Sequence, residues 1–247
     1  MKYALTYPVT DSFTYAKARH HYLTQIVYGE VLAKDFCKEM ALFAPTNEAK
    51  EFLLKQQDEE DKHLAMLTDY VTTHARPIVS ISRYIKKMHR MMDKAISEKD
   101  YITCVFGQNF IVESLNVTFL NEIAHHADGE LSELCSEIIK EELGHEEFGI
   151  KEMKRILQQD KEVSRKLISL YRKTFFYSFL LAASLSFESK DLGIPMDEFA
   201  RNVIIHQNER LQEIGLKLGV LDELAFRCIL RVLLVTSSFG NLVKVMK

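Results

Sequence analysis

The chain has 247 residues, of which 47% are hydrophobic and 27% are charged, as is ordinary for a soluble globular protein. Its formal net charge of -3 argues against a dedicated nucleic-acid binder, because such proteins usually carry a basic excess. Only 4 Pro and 9 Gly interrupt a sequence rich in good helix formers, and no alternating strand pattern stands out, so an all-α fold is predicted.

Turn signals divide the chain into a series of predicted helices. The breaks fall at prolines, at glycines and at the Asp-Gly pair 128–129. The helices are predicted to cover about residues 12–43, 47–74, 80–96, 100–127, 130–158, 161–189, 196–218 and 221–246. Because no flexible linker separates them, we expect one domain over residues 1–247, in which helices of residues 161–246 cover a core formed by residues 12–158.

The sequence predicts a cytoplasmic protein without a membrane span. The N-terminus lacks the apolar segment of a signal peptide. The longest apolar run, Phe175–Phe187, has 13 residues, whereas a helix needs about 20 to cross a bilayer. The four cysteines are scattered with no C-x-x-C pair, which is typical of a reduced, intracellular protein.

A Glu-Glu-x-x-His motif occurs twice, at residues 59–63 and 141–145, and the two copies are 82 residues apart. Residues three apart share one face of an α-helix, so a carboxylate and an imidazole project together and can bind one metal ion. The pairs placed in this way are Glu60 with His63 and Glu142 with His145. The motif is not specific by itself, because a third Glu-x-x-His occurs at residues 122–125.

The distance of each motif from the turn of its predicted helical hairpin distinguishes these two copies from a chance match. The motif at residues 60–63 is centred about 16 residues after the turn near Pro45, and Glu30 lies about as far before it. The motif at residues 142–145 is centred about 15 residues after the Asp-Gly turn, and Glu113 lies about as far before it. In an antiparallel hairpin, a lone glutamate then faces each motif, roughly 23 Å from the turn at 1.5 Å rise per residue.

The two lone glutamates are surrounded by apolar residues on their helix faces, where an unpaired carboxylate is expensive. This favours a buried polar site that uses both of them. The third motif does not share this geometry, because Glu122 lies close to the Asp-Gly turn and on the face opposite to Glu113. Residues 122–125 are therefore predicted to lie at the surface or at a helix end.

For several other polar residues a solvated position is one of the interpretations left open by the sequence. Gln56 and Gln57 make the motif face of their helix wetter, and Glu146 and Glu147 fit a solvated face. The basic stretch at residues 86–90 is most simply the solvated side of a short helix.

The six residues at equal depth resemble the ligands of the ferritin-like di-iron carboxylate superfamily. In such bundles two helices contribute one Glu each, and the other two contribute a Glu-x-x-His each. The resemblance extends over about residues 20–155 and implies a ferritin-like four-helix bundle with additional C-terminal helices. The ligands that it implies are Glu30 with His63 for one ion, Glu113 with His145 for the other, and Glu60 and Glu142 as catalytic bridges between them.

The resemblance implies two iron ions, with manganese as an alternative. Four carboxylates balance the charge of two Fe(II) ions, and carboxylate with imidazole suits these metals better than a thiolate-rich site would. In the oxygenase branch of the superfamily, the residue before each motif glutamate is often an acid that hydrogen-bonds a ligand histidine. Glu59 and Glu141 occupy these positions, and a solvated helix face is the alternative reading for both.

The spacing is most similar to that of the cyanobacterial aldehyde-deformylating oxygenases. This implies a non-haem di-iron oxidoreductase that activates O2 to oxygenate or oxidise a small, largely apolar organic substrate. Such an enzyme needs an external electron donor such as ferredoxin, and we expect it to be a monomer or homodimer. Three alternatives remain open: a ferroxidase or other iron-handling protein, a tRNA-hydroxylase-like di-iron enzyme, and a helical partner-binding module without metal.

Overall fold

The structure is a computed structural model that describes residues 13–74, 81–127, 129–191, 196–219 and 228. Across these residues the only regular structure is helical, which confirms the predicted all-α class. The elements are α1 (Phe13–Ala41), α2 (Asn47–His74), α3 (Arg83–Ser97), α4 (Tyr101–Val105), a π-helical segment (Phe106–Val112), α5 (Glu113–His126), α6 (Gly129–Gln159), α7 (Val163–Asp191) and α8 (Met196–Glu213). The helix predicted over residues 221–246 lies outside the described residues, apart from residue 228.

Two helical hairpins form the centre of the fold. α1 packs along α2, α5 packs along α6, and α2 also contacts α6. Pro45 and Thr46 separate the first pair, and the Thr46 hydroxyl accepts a hydrogen bond from the backbone N of Ala49 at 3.1 Å, in the first turn of α2. This N-terminal capping contact satisfies a backbone donor that has no partner within the helix. The predicted pairing of the hairpins is therefore present.

The bundle contains two separate hydrophobic clusters, with a polar layer between them. On α1, the cluster residues are Leu23, Ile26 and Val27 on one side of the layer and Phe36, Cys37, Met40 and Ala41 on the other. α2 and α6 contribute to both clusters in the same way, whereas α4 and the π-helical segment contribute to the cluster that contains Phe36, and α5 to the cluster that contains Leu23. Apolar packing thus stabilises both ends of the bundle and excludes water from its middle.

A π-helical segment interrupts the helix that was predicted to be continuous over residues 100–127. Asp100 caps the N-terminus of α4, where its Oδ1 accepts a hydrogen bond from Thr103 N at 3.2 Å, and the wider π turns begin at Phe106. They end immediately before Glu113. π-helical insertions are rare and concentrate at functional sites. Hydrophobic periodicity does not reveal such an insertion, so the sequence predicted an uninterrupted helix here.

Three further helices of the described part of the chain pack outside the two hairpins. α3 contacts α1, α4 and α7, and it buries Met92 and Ala95. α7 packs on α1 and α3, and α8 packs on α5. Among the described residues, no helix is long and apolar enough to cross a membrane.

Candidate metal centre

The polar layer contains the six side chains that were predicted to converge. Each of them is at most 2% exposed. They form two overlapping groups, in which one potential ligand atom from each residue lies within 4.8 Å of the others: Glu30, Glu60, His63 and Glu142 in one, and Glu60, Glu113, Glu142 and His145 in the other. The structure thus brings all six residues together at one depth of the bundle.

Glu60 and Glu142 belong to both groups, and each directs one oxygen to each histidine. Glu60 places Oε2 3.6 Å from His63 Nδ1 and Oε1 3.3 Å from His145 Nδ1. Glu142 places Oε1 3.5 Å from His63 Nδ1 and Oε2 3.1 Å from His145 Nδ1. This is the arrangement of carboxylates that can bridge two cations.

Three buried atoms in the layer have no hydrogen-bond partner among the described residues. They are Glu30 Oε2, Glu60 Oε2 and His63 Nδ1. Each of the two carboxylate oxygens is 3.6 Å from His63 Nδ1, which is too long for a hydrogen bond. Two ligands bound to one cation at about 2.0–2.2 Å are themselves roughly 3.0–3.5 Å apart. A bound cation would therefore satisfy atoms whose burial otherwise costs about 1–3 kcal/mol each.

The second nitrogen of each histidine binds an acid from the opposite motif. His63 Nε2 donates to Glu141 Oε2 at 2.8 Å, and His145 Nε2 donates to Glu59 Oε2 at 3.1 Å. These hydrogen bonds require a proton on Nε2 of each ring, so Nδ1 is the nitrogen that faces the other carboxylates of the layer and could bind a cation. The hydrogen bond with His145, aided by Lys55, lowers the pKa of Glu59 to about 2, so this acceptor is ionised at neutral pH.

A buried amide network holds the layer from the side of the π-helical segment. Gln56 Nε2 donates to Glu113 Oε1 at 2.8 Å and to Glu60 Oε1 at 3.1 Å. Gln108 Nε2 donates to Glu113 at 2.9 Å, and Asn109 Nδ2 donates to Gln56 Oε1 at 2.6 Å. The prediction that Gln56 faces a wetter surface was wrong, because its side chain is fully buried. Its position one helical turn before Glu60 is the signal that could have identified it.

Burial raises the pKa of Glu30 and of Glu113 well above the ordinary value. Neighbouring carboxylates add to this effect, since Glu60 and Glu142 lie close to both. Without a cation, the protonated form of both groups is favoured. The layer therefore contains more acidic groups than its own residues can neutralise.

The pKa values of the two histidines are raised, although burial by itself lowers the pKa of an imidazole. Burial alone would lower the pKa of His63 and His145, but close contacts with Glu142 and the neighbouring carboxylates outweigh it and raise both pKa values. Burial likewise opposes ionisation of Glu60 and Glu142, yet close contacts with the two histidines lower their pKa values. Positive charge is thus stabilised at the centre of the layer, where two cations could replace the protons.

Comparison with known proteins identifies the family. A sequence model of the long-chain fatty aldehyde decarbonylase family matches residues 12–229. The chain belongs to this family. Its structure is similar to that of a protein from Synechococcus described as having aldehyde deformylating oxidase activity, with a TM-score of 0.76 and 16% sequence identity over 91% of this chain and 98% of the other. This likeness confirms the predicted ferritin-like helical fold, and no curated protein sequence matches the chain.

In this member of the family, Glu146 does not lie on a solvated face, which was one interpretation of its position in the sequence. It is 1% exposed, and it accepts hydrogen bonds from His206 Nε2 at 2.7 Å and from Arg210 Nη2 at 3.0 Å. α8 therefore covers α6 directly beside His145. The prediction failed because it considered only α6, whereas α8 supplies the partners. Glu147 is exposed, as expected for a solvated face.

The third Glu-x-x-His lies apart from the centre, in the last turns of α5. Glu122 belongs to neither group of potential ligands, and His125 is exposed. Glu122 itself is only 8% exposed, because Asn202 of α8 donates a hydrogen bond to its Oε1 at 2.9 Å. The pair is thus at a helix end, as predicted, but its glutamate is covered.

Proposed function

We propose that the chain is a non-haem di-iron oxidoreductase that uses O2 to oxygenate or oxidise a largely apolar organic substrate. The observation that supports this most directly is the pair Glu60 and Glu142, each of which presents one oxygen to each histidine. Such shared carboxylates suit two cations rather than one. The family description suggests a long-chain aldehyde as the substrate class.

The six buried residues would hold the two ions without any further ligand from the chain. Four carboxylates and two neutral imidazoles balance the charge of two Fe(II) ions, and this mixture of ligands also suits manganese. The proposed assignment is Glu30 with His63 for one ion, Glu113 with His145 for the other, and Glu60 and Glu142 as the bridging residues at the catalytic centre.

Bound Fe(II) would supply the electrons that activate O2, and the protein residues would control the surroundings. Glu59 and Glu141 orient the imidazoles, and the amide of Gln56 fixes one oxygen each of Glu60 and Glu113. The hydrophobic clusters on both sides of the layer exclude water, which strengthens the electrostatic interactions of the buried groups. The same apolar surroundings favour an apolar substrate over a polar one.

Turnover would consume electrons, which must come from outside the chain. We therefore propose an external electron donor such as ferredoxin. We further propose a cytoplasmic protein that is a monomer or a homodimer, because no described helix could span a membrane and the chain has more helices than the four of a bare bundle.

The decisive experiment measures O2 consumption by iron-loaded protein with long-chain aldehydes and an electron donor, together with product analysis by mass spectrometry. We expect O2 uptake that depends on both the aldehyde and the donor. Uptake without any organic substrate, with Fe(III) accumulating in a large assembly, would instead identify a ferroxidase. Turnover of tRNA would identify the tRNA-hydroxylase alternative.

A further inference from the structure

α3 carries a continuous stripe of positive charge on its exposed side. Its cations follow the helical spacing i, i+3, i+4, i+7 and i+11, which places them on one face. All of them are exposed: Arg83, Lys86, Lys87, Arg90 and Lys94. Asp93 is the one acid within α3, while the whole chain has a net charge of -3. The stripe is therefore a local concentration of charge opposite in sign to that of the chain.

Most of this charge is not neutralised by the described part of the chain. Among the described residues, no carboxylate forms an ion pair with Arg83, Lys86, Lys87 or Arg90. Lys87 instead points its Nζ toward the ring of Tyr177 on α7, 5.5 Å from the ring centre. On the same helix, Lys173, one turn before Tyr177, is exposed, and Phe176, next to Tyr177, is 49% exposed. The stripe continues in this way onto α7, with an exposed aromatic ring beside it.

The opposite side of α3 packs directly against the elements that hold the metal centre. A Cβ atom at Gly107 would lie 2.6 Å from Met92 Sδ, so Met92 rests on the backbone of the π-helical segment. The next residue, Gln108, donates its hydrogen bond to Glu113 at 2.9 Å. His89 contacts α1 through a hydrogen bond of 3.2 Å with Tyr28. Only one layer of side chains separates the basic stripe from residues that contact the centre.

We propose that this surface, formed by the stripe on α3 with Lys173 and Phe176 of α7, is the docking site for an acidic electron-carrier protein. The inference rests on the proposed function, which requires electrons from outside the chain. In each encounter the reduced carrier would lose one electron, and one ferric ion of the centre would gain it and become ferrous. A complete centre would then need two encounters.

Charge and packing favour an acidic protein over other anionic partners. The apolar side of α3, with Met92 and Ala95, is buried against the bundle and could not enter a bilayer. The negative charge of the rest of the chain would repel an extended nucleic acid on either side of the stripe. A compact acidic protein would contact the stripe alone, with Phe176 at the apolar part of the contact.

The test compares two double variants with the same change in charge. Lys86→Glu/Arg90→Glu reverses the stripe, and Lys50→Glu/Lys217→Glu reverses two exposed lysines on α2 and after α8. Binding of a plant-type ferredoxin, as the acidic probe, is measured on metal-free protein at several salt concentrations. We expect the stripe variant to bind about tenfold more weakly or worse at low salt and to lose most of the salt dependence, while the control stays within about twofold of the parent.

A second readout separates docking from the chemistry of the centre. Reduction of the iron-loaded protein by ferredoxin should slow in the stripe variant, and reduction by a small uncharged mediator should be unchanged. Equal binding by the two double variants would overturn the docking site. Loss of binding to tRNA or to phosphatidylserine vesicles, with unchanged ferredoxin kinetics, would overturn it in favour of those partners. A centre that no mediator reduces would overturn the proposed function itself.

Discussion

Glu59 on α2 accepts a hydrogen bond from Nε2 of His145 on α6, at 3.1 Å. Glu141 on α6 accepts one from Nε2 of His63 on α2, at 2.8 Å. Each helix thus supplies the acid that orients the histidine of the other. The first glutamate of each Glu-Glu-x-x-His motif therefore has contacts distinct from those of the second, and the two crossed hydrogen bonds tie α2 to α6 at the polar layer.

Replacing one crossed acid should weaken metal binding without removing a ligand. Glu59→Gln removes the negative charge that holds the imidazole of His145, and we expect metal affinity to fall about 10- to 100-fold. Titration with Fe(II) against a competing chelator measures this. The exposed Asp58 on the same helix offers the matched control, Asp58→Asn, which should leave affinity unchanged. Equal affinity in the two variants would show that the hydrogen bond to His145 has no such role.

Replacing a proposed ligand should remove most of the metal. We expect purified protein to contain up to two iron or manganese ions per chain, and Glu60→Ala or His145→Ala to lose most of them. The control is Glu122→Ala, which alters a covered glutamate outside the centre and should retain the metal. Elemental analysis of each purified protein gives the count. Full metal content in both ligand variants would refute the assignment.

Metal binding should release protons and strengthen as the pH rises. In the metal-free protein, burial raises the pKa of Glu30 and Glu113, and contacts with carboxylates raise the pKa of His63 and His145. A group with a raised pKa keeps its proton to higher pH, so a cation must displace it, and raising the pH removes this competition. We expect release of up to about four protons for two ions.

Calorimetry in two buffers with different ionisation enthalpies counts these protons. A metal affinity that stays constant across the neutral pH range would contradict the prediction. It would mean that the ions bind elsewhere or that the layer is already deprotonated.

The contact between α6 and the π-helical segment requires a glycine at position 149. A Cβ there would lie 2.6 Å from the backbone C and O atoms of Asn109, and backbone atoms cannot move aside as a flexible side chain can. We expect Gly149→Ala to lower the free energy of unfolding by about 1–3 kcal/mol and to disturb the amide network of Gln56. Chemical denaturation measures the change.

Gly144 on the same helix offers the control for this substitution. It is exposed, and a Cβ there would meet nothing within 4 Å. Gly144→Ala should stabilise the protein by up to about 1 kcal/mol, since alanine is the better helix former. If both substitutions changed stability in the same direction and by the same amount, the contact between α6 and the π-helical segment would not require a glycine at position 149.

Some features of the site could not be predicted from the sequence because they depend on which helices become neighbours. The burial of Gln56 follows from its contacts with Glu113 and Asn109, more than 50 residues away in the sequence. Glu146 is covered because α8 returns over α6 and provides His206 and Arg210. The π-helical segment likewise depends on local backbone packing, which residue periodicity does not encode.

The sequence by itself determined which residues could meet. The three-residue spacing of Glu60 with His63 and of Glu142 with His145 fixes a helix face, and equal distances from the turns fix a common depth, because helical rise and rotation per residue are constant. The tertiary structure decided how they meet: which acid orients which histidine, which amides enter the layer and which helix covers it. Those contacts depend on the packing of helices that are distant in the sequence, and no local periodicity specifies that packing.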